Sequence, residues 1–169
     1  LILGDPLYFT NSQFSAKTQQ QNWLSRGELP SYHNIISAFS YYFVTAMSNS
    51  GFLIFLTALA GIIVYIKKHH SVSSLLVIAI LFVPFIFNVT TLFLGQSVIF
   101  IPHLTPVDFE WRLFNVRYGV MMIPAVAFFY AYLFTIKNGL LRKFLVSFIL
   151  IQAIFFAVGY SPIISLAVR

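Results

Sequence analysis

From Val72 to Leu94 the chain carries no charged side chain. At 1.5 Å per residue, a helix over this stretch is long enough to cross a hydrocarbon core of ~30 Å. Three further stretches are also predominantly apolar: Phe52 to Ile66, nearly free of polar residues, Arg117 to Ile136, charged only at its first residue, and Phe144 to Tyr160. A segment that enters lipid must satisfy its backbone internally, so apolar runs of this length and spacing predict helices. The expected fold is therefore all-α: a polytopic transmembrane helical bundle of about four spans, near 50–66, 72–94, 117–136 and 144–160, plus an interfacial helix.

Composition rules out an aqueous surface. Of 169 residues 59% are hydrophobic and only 8% charged, with 20 Phe and 9 Tyr, and the mean hydropathy is +0.87. These values lie far outside those of soluble domains. Cysteine is absent, which excludes disulfides and thiolate metal sites. The chain opens on Leu1 without a basic n-region and ends at Arg169 just after an apolar stretch, which reads as an internal piece of a longer protein.

The chain divides into an outer-face loop with interfacial segments, residues 1–33, and a transmembrane helical region, residues 34–169. The first part is polar and turn-rich, punctuated by Gly4-Asp5-Pro6 and Arg26-Gly27-Glu28-Leu29-Pro30. Leu7, Tyr8, Phe9, Phe14 and Trp23 suit the headgroup level and predict a segment lying on the bilayer. From Asn34 to Ser48 apolar residues recur at helical spacing with Ser, Thr and Tyr between them, the pattern of an interfacial or half-inserted helix. Asn49-Ser50-Gly51 should break or bend it. Pro84 and Pro124 should kink the second and third spans. No internal repeat or low-complexity tract is evident.

Charge sets the expected orientation. Lys67, Lys68, Lys137, Arg142 and Lys143 fall in two short turns with no acidic neighbour, whereas Asp5, Glu28, Asp108 and Glu110 all fall in the other loops. The positive-inside rule puts the turns at 67–71 and 137–143 in the cytoplasm. Four crossings then put the first segment, the middle loop 95–116 and the C-terminus outside. The net charge of +6 is split between the two sides and forms no nucleic-acid stripe, so the expected partner is membrane lipid.

Several residues carry both a functional and a plain reading. Arg117-Tyr118 opens the third span at the outer interface, where a guanidinium can hold a lipid-linked phosphate through paired hydrogen bonds; an Arg-Tyr pair at a helix end also serves as a snorkelling anchor. Asp108, Glu110 and Arg112, with His103 nearby, bring carboxylates, a cation and an imidazole into one outer loop. They could line a pocket there and supply acid/base or metal chemistry, or simply be solvated. Asn88 and Gln152 lie inside spans and read as interhelical hydrogen-bond partners, less readily as a conduction path. Asn88-Val89-Thr90 matches a glycosylation sequon at an inaccessible place. Thr57 and Gly61 form a small-residue face suited to helix packing.

The segment Phe114-Asn115-Val116-Arg117-Tyr118-Gly119-Val120-Met121-Met122-Ile123-Pro124-Ala125 resembles the Arg-Tyr, apolar run, Pro segment of multispanning GT-C glycosyltransferases, the superfamily of protein mannosyltransferases and aminoarabinose transferases. Gly4-Asp5-Pro6-Leu7-Tyr8-Phe9, with Asn11-Ser12 and Ser15-Ala16, looks like an outer-loop segment of bacterial members. The resemblance implies the C-terminal part of a larger GT-C-like membrane domain in a bacterial plasma (inner) membrane. It implies sugar transfer from a polyprenyl-phosphate-linked donor to an outer-face acceptor, with inversion and often with a divalent metal ion. In that family the catalytic carboxylate usually lies in a first outer loop that this sequence does not contain, so Asp5, Asp108 and Glu110 do not inherit its role. Arg117 and Tyr118 alone carry over, as contacts to the carrier phosphate. A multispanning transporter and a non-catalytic assembly subunit remain the alternatives.

Overall fold

The computed structural model describes residues 12, 15, 18, 20–101, 104–105 and 115–159. Among them every regular element is helical: α1 (Gln21–Ser25), α2 (Ile35–Ser50), α3 (Phe52–Lys68), α4 (Val72–Phe93), a 3-10 segment (Val116–Met122), α5 (Ile123–Tyr132), a short 3-10 turn (Leu133–Thr135) and α6 (Gly139–Ala157). Three stretches are long and apolar enough to cross a membrane: Val72–Phe93, Val116–Thr135 and Gly139–Ala157. The pair α2 and α3, bent by 111°, makes a fourth if it counts as one broken span. The protein is thus a multi-pass membrane protein by the length and composition of its helices.

Local chemistry explains where the helices start and stop. The Asn34 Oδ1 accepts from the Ser37 N–H at 3.0 Å, and the Asn138 Oδ1 accepts from the N–H groups of Leu140 and Leu141. Each satisfies donors that the first turn leaves orphaned. Because Asn138 caps it, α6 begins at Gly139, earlier than the start near 144 read from the apolar run. Arg142 and Lys143 therefore belong to its first turns. At the end of α3, Lys67 and Lys68 meet the partial negative charge of the helix C-terminus. Between α2 and α3, Gly51 adopts φ +86°, a left-handed conformation that a side chain would strain, and here the chain makes its 111° bend.

The two prolines behave differently from each other. Pro84 lies inside α4 without interrupting it. Pro124 stands at the first turn of α5, so the expected kinked span is instead a 3-10 segment joined to an α-helix. The reason is local: proline has no N–H to give to the carbonyl of Val120, and its ring crowds that carbonyl.

The chain forms two compact units. In the first, residues 1–43 and 86–116, a small core of Leu29, Val98 and Phe100 is walled by Trp23, Leu24 and Tyr32. Trp23 meets Phe100 edge-on at 5.9 Å, and the His33 N–H donates to the Phe93 carbonyl at 2.9 Å. Between helices, the buried Asn88 Nδ2 donates to the Tyr42 hydroxyl at 3.2 Å. The two loops expected on the outer side are thus packed within one unit.

In the second unit, residues 44–85 and 117–169, α3 packs most closely on α5. A Cβ at Gly61 would collide with the Phe129 carbonyl, so glycine sets how closely the backbones approach. Tyr65 then packs its ring against Phe128, Phe129 and Tyr132 at 5.0–5.7 Å. The Tyr130 hydroxyl donates to the Leu145 carbonyl, tying α5 to α6. The outward faces are apolar: Leu76, Ile80 and Val83 on α4 and Leu150 and Ile154 on α6 are all more than half exposed, which suits lipid and not water.

Candidate functional site

The arrangement of the Arg-Tyr segment follows from its helix type. Side chains on a 3-10 helix repeat every third residue. Along Val116–Met122 the buried positions are Val116, Gly119 and Met122, and the exposed ones include Arg117 and Val120, followed by Ile123. Arg117 thereby falls on an outward stripe between apolar neighbours, while Tyr118 is half-buried. The segment cannot rotate freely about this arrangement, because Gly119 is pressed onto α2. A Cβ at Gly119 would strike the Asn49 side-chain amide and the Thr45 carbonyl. Those two groups are themselves joined, the Asn49 Nδ2 donating to the Thr45 carbonyl at 2.8 Å.

The entry to the segment is held separately. Asn115 takes φ +60°, a conformation that Asn tolerates better than most residues, and its Nδ2 donates to the Val98 carbonyl at 3.0 Å. Leu104 and Thr105 are clamped by the Tyr41 hydroxyl, which donates to the Leu104 carbonyl at 2.7 Å and lies 3.0 Å from the Thr105 Oγ1. Thr105 also accepts from the Ile101 N–H at 3.0 Å. His103, Asp108, Glu110 and Arg112, the outer-loop candidates, lie outside the described residues.

No family model, curated protein or solved structure matches this chain.

The ends of the second unit differ in chemistry. At one end α3 begins, α6 closes and Gly119 meets Thr45 and Asn49. Here Met47, Ser48, Gly51, Phe52, Leu53, Gln152, Phe155 and Phe156 line a cavity of about 390 Å³. Gln152 is buried, and its side chain occupies the space that a Cβ on Gly51 would fill. At the other end the two basic turns come together: the His69 Nε2 lies 3.0 Å from the Tyr132 hydroxyl, and the Arg142 Nη2 donates to the Phe134 carbonyl at 3.1 Å. Arg117 follows Asn115 into the Gly119 contact, so it stands at the end away from the basic turns.

Glu28 is the only carboxylate among the described residues, and it pairs with Arg26 at 3.1 Å. Arg117 therefore has no described carboxylate partner. The buried polar side chains of the described residues are all uncharged, Thr45, Ser50, Asn88 and Gln152 among them. No group of three His, Asp or Glu side chains among these residues could hold a metal ion; the sequence's candidates for a divalent cation, His103, Asp108 and Glu110, fall outside them. The anchoring roles of Tyr41, Asn49 and Gly119 were not read from the sequence. Gly119, directly after the Arg-Tyr pair, was the one available signal.

Proposed function

We propose that the chain is part of a membrane glycosyltransferase that moves a sugar from a polyprenyl-phosphate carrier to an acceptor on the outer face of the membrane. The observation that carries this reading is Arg117 on an outward 3-10 stripe, held by Gly119 on α2 at the end of its unit opposite the basic turns. With the turns at 67–71 and 137–143 in the cytoplasm, that end faces the outer leaflet, where a carrier phosphate sits.

The chemistry is a single displacement. An acceptor hydroxyl oxygen bonds to the anomeric carbon while the bond from that carbon to the carrier phosphate breaks, and the phosphate leaves with the electron pair. The acceptor proton passes to a base, a role that the resemblance gives to a carboxylate outside this sequence. A guanidinium stabilises the phosphate as negative charge develops on it, with two parallel donors on two oxygens. Apolar neighbours such as Val120 and Ile123 suit the isoprenoid chain. Tyr118, beside it in sequence, would orient or shield the phosphate.

The test is crosslinking of the full-length membrane protein with a photoreactive polyprenyl monophosphate, alongside sugar transfer. Arg117→Ala should lower both by roughly 10- to 100-fold, the worth of a hydrogen bond to a charged group, at normal abundance. Arg117→Lys should fall between, because an ammonium keeps the charge and loses the planar fork. Undiminished labelling and transfer by Arg117→Ala would reduce the residue to an interface anchor. Orientation is checked separately: a Cys at Ser97 should react with an impermeant reagent from outside only.

One feature favours transport instead: the broken pair α2 and α3, with Gly51 at the break and Gln152 beside it. Broken helices line substrate sites in transporters. The uncharged interior of the described helices argues against ion coupling, and uptake of substrate by proteoliposomes at a rate dependent on Gln152 would restore the transport reading.

A further inference from the structure

We infer that the cytoplasmic end of the second unit holds a binding site for the phosphodiester headgroup of an anionic phospholipid, framed by Lys68 at Tyr132 and Arg142 at Phe134. The inference is independent of the transferase reading, since it concerns the other end of the unit.

Charge does not balance within the unit. The charged side chains at 44–85 and 117–159 are Lys67, Lys68, Arg117, Lys137, Arg142 and Lys143, and none of the chain's 4 acidic residues lies there. Five of these cations belong to the two turns that the fold brings together, and all five are exposed. No side chain of the unit can neutralise them, so their countercharge comes from outside it.

Cations from both turns meet one short segment. Tyr132 ends α5, and the two turns converge on it and the residues after it. The Lys68 Nζ stands over the Tyr132 ring at 5.9 Å from its centre, and the His69 Nε2 is 3.0 Å from the Tyr132 hydroxyl. From the other turn, Arg142 places one Nη2 donor on the Phe134 carbonyl. That contact fixes the guanidinium and leaves its remaining N–H groups for an acceptor. Two cations from different helices are thus fixed about one short segment by contacts other than ion pairs. A phosphodiester, whose two free oxygens share one negative charge, is the kind of acceptor that such donors suit.

Apolar neighbours select lipid over free phosphate. Ile66, Leu140 and Phe144, next to these cations in sequence, are 42%, 65% and 53% exposed. Apolar side chains beside the cations offer acyl chains a surface that a soluble anion would not use. Basic clusters between transmembrane helices at the cytoplasmic face are suited to anionic headgroups.

The experiment is native mass spectrometry of the full-length protein released from nanodiscs of mixed phosphatidylglycerol and phosphatidylcholine. Two double variants remove equal charge: Lys68→Gln with Arg142→Gln, and Lys67→Gln with Lys143→Gln. Each leaves other cations in the turns to hold orientation, which impermeant labelling at a Cys introduced at Ser97 confirms. The wild type should retain phosphatidylglycerol preferentially. The Lys68/Arg142 pair should lose that preference on the order of tenfold, while the Lys67/Lys143 pair loses much less. Equal losses in the two pairs would mean diffuse charge without a site and overturn the proposal. Displacement of the retained lipid by millimolar inorganic phosphate would assign the site to a soluble anion and overturn it too.

Discussion

The two units hold themselves together by different means. In the first, directional polar contacts join elements far apart in sequence: Asn88 to Tyr42, Asn115 to Val98, and Tyr41 to Leu104 and Thr105. In the second, the closest joints are glycines, Gly61 against the Phe129 carbonyl and Gly119 against Thr45 and Asn49. The solvents account for the difference. Between lipid-bathed helices apolar burial adds little, because acyl chains are as apolar as the side chains they replace, so close backbone approach and dispersion decide packing. Loops outside the apolar helices, expected from sequence at the headgroup level, keep water as a competitor, and a hydrophobic core such as Leu29, Val98 and Phe100 regains its value there.

The largest effect should therefore come from the tightest joint. Gly61→Val puts a branched side chain where even a Cβ meets the Phe129 carbonyl, and backbone cannot move aside as a flexible side chain can. A cost of ~3 kcal/mol or more is expected, the upper range for overpacking. The yield of monodisperse protein and its thermal midpoint in detergent should both fall sharply. Unchanged values would show that α3 and α5 are not in register as described, and that the second unit is not glycine-packed.

How far these joints can be read in advance depends on their range. The helices over α3, α4 and α6 follow from composition, since lipid leaves a long apolar run almost no other conformation. The bend at Asn49-Ser50-Gly51, the turn at Asn138 and the partnership of Asn88 were also legible, because each rests on the chemistry of one residue. The 3-10 form of Val116–Met122 was not foreseen; hydropathy reports that a segment is apolar, not how tightly it is wound. Of the site, Arg117 and Tyr118 were singled out by their pattern. Their anchorage to Thr45 and Asn49 depends on a glycine contact between residues 70 or more positions apart, which no local pattern encodes.

A smaller effect is expected from the interhelical hydrogen bond of the first unit. Tyr42→Phe removes the acceptor of the Asn88 amide at 3.2 Å while preserving the ring. Such bonds in membrane proteins average ~0.6 kcal/mol and reach ~1.7, so a loss near 1 kcal/mol and a modest fall in thermal midpoint should follow. A loss as large as that of Gly61→Val would mean that polar contacts, not close approach, dominate in both units.

The smallest global effect, and the most local one, should come from Tyr41→Phe. The hydroxyl donates to the Leu104 carbonyl at 2.7 Å and lies 3.0 Å from Thr105, and both contacts clamp one loop to α2. Losing them leaves a ring that still fills its place, a residue only 3% exposed, so the helices should be nearly unaffected. The loop keeps the Thr105 contact to the Ile101 N–H and gives up its tie to the helix. Opening of the loop should therefore become easier by ~1 kcal/mol, the worth of one neutral hydrogen bond. Amide exchange read by mass spectrometry resolves this: peptides covering 98–105 should exchange roughly fivefold faster, with those of α3 and α5 unchanged and the thermal midpoint within about a degree. If exchange rises across α2 and α4 as well, Tyr41 supports the helices themselves, and the first unit is less divided into loop and helix layers than its hydrogen bonds suggest.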